Sequence, residues 1–229
     1  MLGLKRFLFK NDASVLSEDV RLALTAWRET ASPSLGDTHF HSRYIILDIA
    51  TSGVKPESDT LIGIAASSVY RELVSPNDAF FVESLKPDEG ASDSPGDHIA
   101  GLNERQLMVF LQFSAKCPIV TYHGAFVSRF LQRAYKERLG LSFQPAWIDL
   151  ALLLPALFTE IHNKIVPLDY WIESFGLDAG SGRRSGMENN LLLARLFQMV
   201  LVRAKDKNLD TALALIEDSN ASRQLFGAR

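Results

Sequence analysis

The chain has 229 residues, 47% of them hydrophobic and 22% charged, with a formal net charge of −3. This is ordinary globular composition at a length that buries one sizeable core, and without an uninterrupted apolar run of about 18 residues no membrane-spanning helix is expected. The negative balance excludes a protein that coats nucleic acid by overall positive charge, since that affinity comes from Lys and Arg neutralising phosphates; a local groove stays open.

Residues 1–10 mix Lys5, Arg6 and Lys10 with Leu2, Leu4, Phe7, Leu8 and Phe9. The apolar run is too short for a secretory signal and no small-residue cleavage pattern follows, so a surface or docking segment is expected. The single cysteine, Cys117, makes neither an internal disulfide nor a multi-cysteine zinc site, which suits a reducing cytoplasm.

Residues 15–30 place Leu16, Val20, Ala23, Leu24 and Trp27 at helical spacing, with Ser14 or Ser17 as cap and Pro33 closing the segment. Tyr44-Ile45-Ile46-Leu47-Asp48-Ile49 is a β-branched apolar run that reads as a buried central strand, and Ala50-Thr51-Ser52-Gly53 as the turn it enters. An aspartate in such a run needs a reason. Residues 60–73 and 79–85 are strand-like, and Ser75-Pro76-Asn77-Asp78 between them is a turn signal, so the first three strands should form an antiparallel meander. Residues 87–97, rich in Asp, Gly, Ser and Pro, read as an internal loop.

Beyond that loop the pattern alternates. Residues 103–113 read as a helix, 118–122 as a short buried strand, and 126–139 as a helix with Phe130, Leu131, Ala134 and Tyr135 on one side. Residues 148–158 and 168–175 read as short helices, 188–205 as a long one with a broad apolar face, and 209–217 as the last. Three antiparallel strands followed by parallel strands with crossover helices is the order of an α/β, ribonuclease-H-like mixed sheet. The expected division is an N-terminal extension with an amphipathic helix over 1–40, the main domain over 41–205, and a C-terminal helix and tail over 206–229.

Three strings carry chemistry. Asp48-Ile49-Ala50-Thr51-Ser52-Gly53 ends the central strand, and alternation puts residues 48 and 50 on one face. Val120-Thr121-Tyr122-His123-Gly124-Ala125-Phe126-Val127-Ser128-Arg129-Phe130-Leu131 runs from a strand into a helix, and Arg184-Ser185-Gly186-Met187-Glu188-Asn189 opens the long helix. In this order the strings resemble the DEDDh 3'-5' exonuclease family, which includes the proofreading epsilon subunit of bacterial DNA polymerase III and stand-alone bacterial exonuclease-like proteins. The resemblance spans residues 43–204. Ile148-Asp149-Leu150 and Ile99-Ala100-Gly101-Leu102 also resemble family segments, and the aspartate of the first is structural there.

The resemblance implies a damaged site. The family's Asp-x-Glu becomes Asp48 and Ala50, its strand-end aspartate becomes Val127, its general-base histidine becomes Arg184, and its helix aspartate becomes Asn189. Two-metal phosphodiester hydrolysis needs clustered carboxylates. Asp48 with one amide should hold Mg²⁺ or Mn²⁺ weakly, so no cofactor is assigned. Guanidinium stays protonated and abstracts no proton. Glu188 is turned by roughly 100° from residue 189 on a helix, and neither it nor Asp149 is expected to rescue the site.

The expected product of these changes is a catalytically impaired exonuclease-like protein that binds single-stranded nucleic acid or nucleotides, with Arg183 and Arg184 near a helix N-terminus as phosphate holders. Two alternatives stay open. One is an active metal-dependent nuclease with a non-standard ligand set. The other is a non-catalytic module that docks a protein partner or a second copy through residues 1–30. Plainer roles compete at single residues. Asp48 is weighed equally as a hydrogen-bonded relic, His123 reads as structural, Asp37, His39 and His41 as a solvated approach segment rather than zinc ligands, and residues 180–186 as a loop.

Overall fold

The structure, a computed structural model, describes residues 16–84, 101–177 and 184–226. The loop expected at 87–97, the docking segment at 1–10 and Arg183 lie outside the described residues. Five strands form one sheet in the order β3-β2-β1-β4-β5: β1 (Arg43–Thr51), β2 (Leu61–Tyr70), β3 (Leu73–Glu83), β4 (Ile119–Thr121) and β5 (Trp147–Asp149). The pairs β1–β2 and β2–β3 are antiparallel, and β1–β4 and β4–β5 are parallel. This is the mixed α/β sheet that the element order predicts.

Helices cover both faces, which is why Tyr44, Ile45, Ile46 and Leu47 are all fully buried in one unbroken apolar run. Ile45 and Leu47 pack with α1 (Glu18–Glu29), α2 (Glu104–Ser114) and α3 (Gly124–Leu139). Tyr44 and Ile46 point the other way, into the layer of α4 (Leu150–Leu157), α5 (Leu168–Ser174), α6 (Gly186–Asp206) and α7 (Ala212–Phe226). The apolar side of α1 is used inside the chain, where Val20 and Leu24 are buried in the core shared with α2. The outer side of the helix leaves Leu22 exposed. Ala212 and Leu215 likewise place α7 in the main core.

The structure corrects three readings. Ser75-Pro76-Asn77-Asp78 is not the hairpin turn. The chain reverses at Arg71-Glu72, both at positive φ of 52° and 63°, a two-residue hairpin whose twist suits the strands. The Pro-containing string is a bulge within β3, between Ser68↔Ser75 and Ser67↔Ala79; an edge strand tolerates the N–H that proline lacks. Asp78 in the bulge accepts from Arg43 Nε at 3.0 Å and from Nη2 at 3.0 Å. Second, residues 147–149 are a strand before the helix rather than its start, because parallel pairing with β4 outweighs local helical preference. Third, His39 in the approach segment is buried, while Asp37 and His41 on either side of it are exposed as expected.

His39 is 2% exposed. Its Nε2–H donates to the Leu209 carbonyl at 2.7 Å, and its Nδ1 accepts from the Tyr44 hydroxyl at 2.6 Å. A Thr38↔Thr211 bridge runs alongside. Histidine thus ties the segment before β1 to the connection between α6 and α7, and burial lowers its pKa below 6.5. Between that lowered value and 6.5 the unfolded chain binds more protons, so stability is full above pH 6.5 and falls as the pH drops. His39→Leu strands a buried hydroxyl and carbonyl, each worth about 1–3 kcal/mol. Urea denaturation should show that loss at neutral pH, together with a flatter stability profile below pH 6.5 than in the wild type.

Candidate functional site

The site forms where β1 leaves the core beside the start of α6. Ser185 caps that helix, its hydroxyl accepting from Glu188 N at 3.2 Å while Ser185 N donates to the Glu188 carboxylate at 2.6 Å. This reciprocal box fixes the first turn and hence the directions of the two asparagines that follow. Asn190 is fully buried and its Nδ2 donates to the carbonyls of Ile46 at 2.8 Å and Ala65 at 3.1 Å, pinning α6 across β1 and β2. Asn189, about 100° around the helix, is left facing a cavity of about 830 Å³.

Asp48, Ala50, Arg184 and Asn189 all line this cavity. Gly63 pairs with Ala50, and a Cβ on the glycine would approach that of Ala50 to 3.1 Å, so two minimal residues make the floor. Burial raises the pKa of Asp48, opposed by a hydrogen bond from the Asn189 side chain and by the charge of Arg184. Arg184 Nε donates to Asn189 Oδ1 at 2.7 Å, and its Nη2 pairs with the Asp169 carboxylate at the start of α5. An amide, a guanidinium and a carboxylate are therefore linked in series across α6 and α5, with the Asp48 carboxyl of β1 on the same lining. Arg184, expected to hold phosphate, is engaged by Asp169 and Asn189, because the fold brings an acid to it from a neighbouring helix.

The other motif positions lie elsewhere. Val127 is 3% exposed and belongs to the apolar core beneath α3, away from the cavity lining. Asp149 accepts from Gly124 N at 2.7 Å and from Ala151 N at 3.0 Å, which caps α4 and ties it to the start of α3. Glu188 stands on the rim, its carboxylate held below its usual pKa by hydrogen bonds from Ser185. His123 is an exposed residue at φ 59° ahead of α3.

Sequence reasoning missed Glu83, Phe81 and Asp169 on the lining, and Asn190 beneath it. Only Asn190 carried a signal, as a polar residue in register with the apolar Leu193, Ala194 and Phe197 of its helix.

The donor set does not fit a divalent pair. Asp48 is the one carboxylate at a motif position, and the amide oxygen of Asn189 already accepts from a cation. Among the described residues no three His, Cys, Asp or Glu gather as a metal centre, and no helix there is long and apolar enough to cross a membrane.

No family model matches the chain. No curated protein matches it either. Solved structures do match: E. coli exonuclease I in complex with a dT13 oligonucleotide superposes with a TM-score of 0.52 at 15% identity over 72% of this chain. The fold is exonuclease-like. Cell-death related nuclease 4 (CRN-4) gives a TM-score of 0.51 at 15% identity, again over 72% of this chain. The match spans 42% of exonuclease I and 66% of CRN-4, less than two thirds of either.

Two substitutions test the site's architecture. Asn190→Leu removes two buried hydrogen bonds, each worth about 0.5–1.5 kcal/mol, and should lower unfolding free energy by about 1–3 kcal/mol in urea titration. Val127→Asp, which places an acid where the resembled motif has one, buries a charge in an apolar core and should cost several kcal/mol without producing hydrolysis. Chemical denaturation and a nuclease assay on the same sample check both halves.

Proposed function

We propose that the chain is a catalytically silent exonuclease-fold protein that binds single-stranded nucleic-acid ends or free nucleotides without metal. The observation that carries this reading is the meeting of Asp48, Asn189 and Arg184 in one cavity, with the guanidinium bonded to the amide. The nucleic-acid class rests on the epsilon-like order of the motifs, and exonuclease I, which shares the fold, has been seen with dT13 bound.

Hydrolysis needs a metal-held hydroxide or a base. Beside the lone inward carboxyl of its described lining, that of Asp48, the cavity offers a guanidinium that stays protonated and an amide that carries no charge. Its volume falls within the roughly 300–1,000 Å³ of small-ligand sites. Phe81, 55% exposed on the lining, offers an aromatic face on which a base stacks. Glu83, Asp169 and Glu188 make the remaining wall acidic, so a base enters and its phosphate stays outside.

Fluorescence anisotropy with labelled single-stranded DNA, RNA and nucleotides in excess EDTA tests the reading. Saturable binding is expected, weakened about 5- to 100-fold by Phe81→Ala, since base stacking contributes about 1–3 kcal/mol. Incubation with Mg²⁺ or Mn²⁺ should leave the strand at full length. Loss of all binding in EDTA would refute metal-free recognition. Shortening from the 3' end that Asp48→Ala abolishes would instead establish an active nuclease with an unusual ligand set.

A further inference from the structure

We propose that Arg184 is the permanent counter-ion of the cavity and takes the electrostatic place of a divalent cation, so that the site is complete without metal. Among the described lining residues it is the one Lys or Arg, set among the carboxylates of Asp48, Glu83, Asp169 and Glu188. Asp48 is the inward acid of the set, while Glu83, Asp169 and Glu188 are exposed around it, so without Arg184 the described lining would hold carboxylates and no positive charge.

Position supports the role. The Arg184 side chain is 20% exposed and that of Asp169 71%, so the cation is held inward and its acid partner closes over it from outside. The planar fork serves two acceptors in different directions, Asn189 through Nε and Asp169 through Nη2, which a point-charge ammonium on a flexible stem does not reproduce. Asp48 lines the same cavity beside them. One cation therefore joins α5 to the start of α6 next to the end of β1, much as a bridging metal does elsewhere.

Guanidinium and metal exclude each other here. A hard divalent ion needs oxygen ligands, and the Asn189 oxygen that would serve is 2.7 Å from Arg184 Nε. A metal bound to that oxygen would sit against a fixed positive charge. The substitution at the base position thus does more than remove a proton acceptor, because it supplies the charge that the lost carboxylates no longer recruit.

The inference is independent of which ligand the cavity takes, and its test contains no nucleic acid. Thermal denaturation of the full chain is followed with EDTA, Mg²⁺ or Mn²⁺, and Mn²⁺ uptake is read from the loss of its free electron paramagnetic resonance signal. The wild-type chain should show the same Tm in EDTA and in Mn²⁺, with the free Mn²⁺ signal undiminished. Arg184→Met keeps the stem and deletes the charge. It should lower Tm by at least about 3 °C and make the chain take up Mn²⁺, with part of the lost Tm restored. Adding Asp48→Asn to that variant should abolish both uptake and recovery.

Arg184→Lys serves if Arg184→Met does not fold. It retains the charge without the fork and should fall below the wild type in Tm while still ignoring Mn²⁺. Stoichiometric Mn²⁺ uptake by the wild type that Asp48→Asn removes would overturn the proposal. So would an Arg184→Met chain as stable as the wild type. A loss of Tm that no divalent cation restores also overturns it, because Arg184 would then be an ordinary staple.

Discussion

The Asn190 amide, buried between the carbonyls of Ile46 and Ala65, sets the position from which the rest of the site follows. A buried amide is costly unless bonded, so its donors select one rotation and one depth for α6 against the sheet. Once that rotation is set, Asn189 faces the cavity, the Ser185–Glu188 box ends the helix at a defined turn, and Arg184 lands between two helices and a strand. Polar residues in an apolar interface trade stability for such definition, and this one sits within a residue of the chemistry it positions.

The sheet works by the same economy of directions. β1 alternates between two cores until Leu47, then presents Asp48 and Ala50 to the cavity while its last residues lose their cover. The opposite face closes with Val127, which is buried in the apolar core. The β3 edge carries a bulge at residues 75–79, within which Asp78 is anchored by Arg43. Such bulges guard exposed edges against pairing with other chains.

Charge ties these features to function. Among the described residues four carboxylates line the cavity although its donor set does not fit a divalent pair, and Arg184 stands among them. On the proposed reading, this cavity suits the neutral, aromatic part of a nucleotide better than its phosphate, with Phe81 at its edge.

Much of this was legible in the order of residues. Hydrophobic alternation and helical spacing are local properties, so the mixed sheet, the central strand, the crossover helices and the three motif strings could be read directly. Legibility stopped where an outcome depends on partners distant in the chain. A Pro-Asn pair marks a turn by local chemistry, yet pairing across β2 and β3 made it a bulge and placed the turn at Arg71-Glu72. His39 looked solvated until Leu209, 170 residues away, supplied its acceptor. Arg184 looked free to hold phosphate until the fold brought Asp169 to it. Sequence alone determined which groups were present. Tertiary structure alone decided which of them meet, because hydrogen bonds and ion pairs form between neighbours in space, and a chain sets that neighbourhood only after it has folded.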